Sequence, residues 1–173
     1  MTDARFMKKG TGIIEIIIYA AILVVVSVFV INSLLITNTV ISKIRLERRI
    51  STNADVIMQK LIREIRLAEE INASSTFDVN PSDVSLNTFL SASNTTPVVL
   101  DFYTNENNLY VKKGGESAIV LNSNNVLVPS FMLRDINASS SRAIKIELTL
   151  QASTTRHSVT ANFYGMAILR GSY

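Results

Sequence analysis

Eleven uninterrupted apolar residues, Ile16 to Val26, follow Glu15, and the chain stays largely apolar as far as Ile36. No Pro or Gly occurs between Ile13 and Asn80, so nothing local breaks a helix over that whole stretch. At 1.5 Å per residue, Ile16 to Ile36 makes a helix about 31 Å long, which matches the hydrocarbon thickness of a bilayer. The segment is therefore predicted to be a membrane-spanning helix. Glu15 is costly there, because an ionised carboxylate at the centre of a membrane helix costs about 2.5–3.5 kcal/mol and less near an end. Ser27 is cheap, since its hydroxyl can bond back to the carbonyl four residues earlier. Asn32 is costlier; it can face a neighbouring helix and hydrogen-bond there, but the favoured expectation is that polar groups are simply tolerated near the outer end of a span.

The helix is expected to continue to residue 72 with a different character. Ile50, Ala54, Ile57, Leu61, Ile65, Ala68 and Ile71 recur at steps of three and four, with Met58 and Ile62 widening the stripe. Charged residues from Arg48 to Glu70 occupy the other side, including the i,i+4 pairs Lys60/Glu64 and Arg66/Glu70. One helix from about residue 12 to 72 would be roughly 90 Å long, a length suited to a membrane anchor or a fibre spine.

Residues 73–97 shift to Ser, Thr, Asn, Asp and Pro and read as a linker, with one strand within Val84–Leu90. Strand signals then follow in series over residues 98–173. Val98–Thr104 and Leu109–Lys113 are joined through N-E-N-N, and Gly114-Gly115 leads into Ser117–Leu121 as a hairpin. Val126–Leu133 carries Pro129, which argues for an edge or a bulge. Ile144–Leu150 alternates apolar and polar residues, and His157–Leu169 closes the series, with Gly165 marking a bend. The predicted fold class is α+β: a long N-terminal helix, membrane-spanning over 11–36 and amphipathic over 37–72, laid on an antiparallel sheet.

Charge and chemistry narrow the function classes. Of the net +3, the first ten residues supply Arg5, Lys8 and Lys9 against Asp3, and the remainder carries 14 basic against 13 acidic residues. No nucleic-acid binding is evident from that balance. The chain has no cysteine, so disulfides, thiolate metal sites and a Cys nucleophile are excluded. His157 is the one histidine, and Asp101, Glu106, Glu116 and Asp135 lie apart without the spacing of a cation-binding loop. There is no phosphate-binding glycine loop. The expectation is a chain that is not an enzyme and uses no cofactor or metal. Orientation is open on charge alone, because Lys43, Arg45, Arg48 and Arg49 after the span balance the basic residues before it.

The stretch K-K-G-T-G-I-I-E, residues 8–15, places a glycine junction five residues before the glutamate, ahead of the apolar core. An ordinary secretory signal would put its small-residue junction beyond that core. The pattern resembles the leader of type IV prepilins and type II secretion pseudopilins. Thr11-Gly12-Ile13-Ile14-Glu15 keeps the junction and the glutamate but has Thr11 where that family usually has Phe. The order of elements is also similar to pseudopilins, and Phe102-Tyr103 through Ser130 to Leu150 looks most like J-type minor pseudopilins and PilW-like minor pilins.

The resemblance implies a leader over 1–10, cut between Gly10 and Thr11 by a prepilin peptidase that also N-methylates Thr11. It implies an N-terminus inside and residues beyond the span outside the cytoplasmic membrane. The implied partners are membrane lipid before assembly and then other pilin-like subunits, met through helix 11–72 and registered by Glu15. Such fibres serve secretion, adhesion, motility or DNA uptake. The competing expectation is an uncleaved, signal-anchored extracytoplasmic binding or sensor domain.

Overall fold

The computed structural model describes residues 11–89, 96–138 and 141–169. Gly10 and the end of the strand expected to reach Leu90 lie outside the described residues. The protein is α+β. Helix α1 (Thr11–Leu67) precedes strands β1 (Glu70–Ile71), β2 (Val84–Thr88), β3 (Val98–Asn105), β4 (Asn108–Lys113), β5 (Ile119–Val120), β6 (Val126–Ala138), β7 (Ser141–Ser153) and β8 (Ser158–Ile168). The chain divides into two compact units between Ser42 and Lys43, and α1 contributes to both.

The second unit holds the core. Ile50, Ala54, Ile57, Leu61, Ile65, Ala68 and Ile71 are all buried, as their spacing predicts, with Met58 and Ile62 partly buried beside them. Leu46 extends the stripe by one more turn. The helix nevertheless stops at Leu67, five residues short of the expected end. The sequence offers no Gly or Pro stop there; β-pairing ends the helix instead. Ala68 N–H makes the last helical bond, to Glu64 O, after which Glu69 N–H donates to Asn87 O and Asn72 N–H to Ser85 O. Ile71 is thus buried from a strand. The expected Arg66/Glu70 pair does not form on a helix, and Glu64 pairs with Arg63 at 2.6 Å.

The single expected sheet is two sheets. Five strands order as β1-β2-β3-β4-β5 and three as β6-β7-β8, all antiparallel. Alternation along each strand tells which side chains are buried, but it does not say which strands share a ladder. One face of the first sheet (Val84, Leu86, Leu100, Phe102, Leu109, Val111) and one face of the second (Phe131, Leu133, Ile144, Ile146, Leu148, Leu150) join the α1 stripe in one core. The β3–β4 turn is the tight Glu106-Asn107 pair, both at positive φ, which matches the twist of the flanking strands. Pro129 sits at a register irregularity between Leu127 and Ser130 on an edge strand, as predicted.

Gly165 opens no bulge in β8, whose register with β7 runs unbroken from Ile168 to Ser158. Its role is close approach: a Cβ there would overlap the Cε of Met58, so α1 packs down onto β8 at that point. Nor is the expected linker loose. Segment 78–82 lies along β6, with Asp78 N–H donating to Leu133 O and Ser82 N–H to Phe131 O, both at 2.9 Å.

Candidate membrane and assembly helix

The candidate site is the first unit. Every residue from Gly12 to Ile41 is exposed within the chain, although the segment is predominantly apolar. Among the described residues α1 is the one helix long and apolar enough to cross a membrane, so a span near the N-terminus is compatible with its length and composition. Exposed patches in soluble monomers seldom exceed a few hundred Å², and a face that is apolar all round calls for lipid or other helices as its solvent.

The polar groups within this segment are mostly answered by the helix itself. Ser27 Oγ donates to Leu23 O at 2.7 Å, as its position predicts, and Thr37, Thr39 and Ser42 do the same to Ser33, Leu35 and Asn38. Such back-bonds make hydroxyls tolerable where water is absent. Asn32 has no side-chain partner among the described residues, and it is exposed.

Glu15 has a partner that the sequence reading missed. The Tyr19 hydroxyl donates to Glu15 Oε1 at 3.1 Å, across one helical turn. The signal was present in the sequence, since residues i and i+4 are neighbours on a helix surface. One carboxylate oxygen is thereby satisfied within the chain, and Oε2 remains without a partner among the described residues. The first helical turn carries no acidic residue, and Glu15 opens the second. Its stabilisation by the helix dipole is correspondingly small, because that effect falls off within the first turn.

Of the residues predicted to form the processing and assembly site, Thr11 is placed at the start of α1 and Glu15 one turn further on; Gly10 lies outside the described residues. His157 lies in the β7–β8 turn, not in a strand. There its main-chain N–H meets Thr154 Oγ and its carbonyl accepts from Thr154 N–H. Asp135 is held by Arg142 at 2.7 Å, and Asp101 accepts from the Ser85 hydroxyl. No family model, no curated protein and no solved structure matches this chain.

Proposed function

We propose that the protein is a minor pilin or pseudopilin, a structural subunit of a type IV pilus-like or type II secretion-like fibre. The observation that carries this reading is an apolar helix, uncovered from Gly12 to Ile41, with a carboxylate at its start. In this account prepilin peptidase cuts after Gly10 and methylates the new amine of Thr11. The helix then rests in the cytoplasmic membrane, with residues 43–173 outside, until neighbouring subunits replace lipid around it. The chain performs no catalysis and needs no cofactor.

Glu15 supplies the register. Its free oxygen faces the positive N-terminus of an adjacent subunit, and opposite charges 4 Å apart attract by about 4 kcal/mol at an effective dielectric near 20, before desolvation. The test is the intact mass of the protein extracted from its native membranes, with N-terminal sequencing. The expected chain starts at Thr11, with or without one added methyl group. A chain that keeps residues 1–10 would leave a signal-anchored extracytoplasmic domain and remove the role assigned to Glu15.

A further inference from the structure

The two edges of the sheet β6-β7-β8 are finished differently. Along β6 the edge is occupied. Besides the two main-chain bonds from Asp78 and Ser82, Leu133 N–H donates to Ser82 Oγ at 3.0 Å and Phe131 N–H to Asn80 Oδ1 at 3.2 Å. Along β8 no described residue plays that part.

The direction of the β8 backbone groups follows from two bonds that bracket the strand. Thr154 N–H donates to His157 O, and Leu169 N–H donates to Arg142 O. In an antiparallel ladder alternate residues face the partner strand. Both bonds set the same alternation: Val159, Ala161, Phe163, Gly165 and Ala167 bond to β7. The intervening residues, Ser158 through Ile168, turn their N–H and C=O groups to the open edge. Natural sheets blunt such an edge with Lys, Pro, a bulge or a very short strand. β8 has none of these: it is 11 residues long, contains no charge and no proline, and keeps its register throughout.

We propose that the β8 edge, from Ser158 to Ile168, is a binding site for an extended, uncharged segment of a partner protein, which joins the sheet as a fourth strand. The chemistry of the occupant follows from the two faces. Val159, Ala161 and Phe163 are only half-buried at the edge, so apolar residues at alternate positions of the partner would complete their cover. The opposite face offers Ser158, Thr160 and Asn162, all neutral. The nearby charges on that face are already spent, Glu147 being paired with Lys145 at 2.8 Å and with Arg134 at 3.0 Å. Lys145 Nζ also lies 5.7 Å over the ring of Tyr164 in β8, so a charged residue brought against this edge would lose water and meet only groups already engaged with one another. This inference is independent of whether α1 assembles into a fibre.

The experiment uses the full chain in detergent micelles and a fluorescent, end-capped nonapeptide that alternates Val with Ser, Thr and Asn. Two control peptides carry Lys or Glu at the polar positions. The neutral peptide is expected to bind saturably, to slow amide exchange at Thr160, Asn162 and Tyr164, and to bind at least about tenfold more tightly than either control. Asn162→Pro removes an N–H that β7 does not use, and Tyr164→Lys adds an edge charge without altering the backbone; each should weaken binding by about tenfold or more. Equal binding to wild type and both variants, or equal binding of charged and neutral peptides, overturns the proposal. So does sedimentation showing wild-type dimers that Tyr164→Lys dissolves, because the edge would then belong to a second copy of this chain.

Discussion

Asn122 joins the two sheets with one side chain. Its Oδ1 accepts from Leu109 N–H at 2.9 Å, while its Nδ2 donates to Val126 O at 2.6 Å and to Asn108 Oδ1 at 2.8 Å. Removing it strands a buried donor and a buried acceptor, so Asn122→Ala should cost about 2–4 kcal/mol in urea unfolding of the detergent-solubilised chain. Exposed Asn125→Ala, two residues beyond Ser123, should stay within about 0.5 kcal/mol of wild type. From sequence, N-S-N-N over 122–125 reads only as a polar turn, because nothing local distinguishes the asparagine that faces inward. Glu15 is the reverse case: its spacing from Gly10 made it stand out, and its contact with Tyr19 lay one helical turn away. On the proposed function, Glu15→Gln should insert in the membrane like wild type, since it loses a charge that lipid disfavours. It should be depleted from sheared fibres relative to the membrane pool, and undiminished incorporation would remove Glu15 from assembly.

At the scale of elements, α1 changes solvent along its length. Ile57 is fully buried in the core, so Ile57→Ala should destabilise the second unit by about 2–5 kcal/mol, read as a lower urea midpoint. Leu23→Ala, 66% exposed and in the first unit, should leave that midpoint unmoved. The burial of the stripe was legible because a 3.6-residue period leaves few alternatives once Gly and Pro are absent. The end of the helix was not, because Asn87 O and Ser85 O, distant in sequence, take the N–H groups that would have extended it. The division into two sheets escaped for a similar reason: alternation names a face and says nothing about pairing across residues 114–126.

On the outer face of β6 and β7, the Lys145 ammonium and then the Arg134 guanidinium hold the Glu147 carboxyl below its ordinary value. A depressed carboxyl contributes stability above its unfolded value and loses it as pH falls through the folded one. Carboxyl NMR titration should therefore place Glu147 below an exposed glutamate, and Lys145→Ala should raise it. An unchanged midpoint in that variant would mean that Lys145 does not hold the carboxylate.

For the whole molecule, the decisive fact is that the core begins at Leu46 and takes nothing from residues 12–41. All the long-range closure of the second unit lies beyond Lys43: the α1 stripe, both sheets, the Asn122 junction and the Asn53 side chain accepting from Ser123 N–H at 2.8 Å. A chain starting at Lys43 should accordingly fold in plain buffer as a soluble domain with one cooperative thermal transition. Its midpoint should lie within about 4 °C of that of the full chain in detergent, because the removed residues contribute less than about 1 kcal/mol to unfolding. The full chain should need detergent or lipid to stay dispersed, since its apolar stretch from Ile13 to Ile41 has no cover of its own. Circular dichroism of the truncated chain checks the first expectation, and sedimentation of the two forms side by side checks the second. Loss of the cooperative transition on truncation would mean that the first unit takes part in folding the second. Independence would leave residues 12–41 with no structural duty inside the chain, and an uncovered apolar helix that does nothing for its own fold is explained only by what it meets outside.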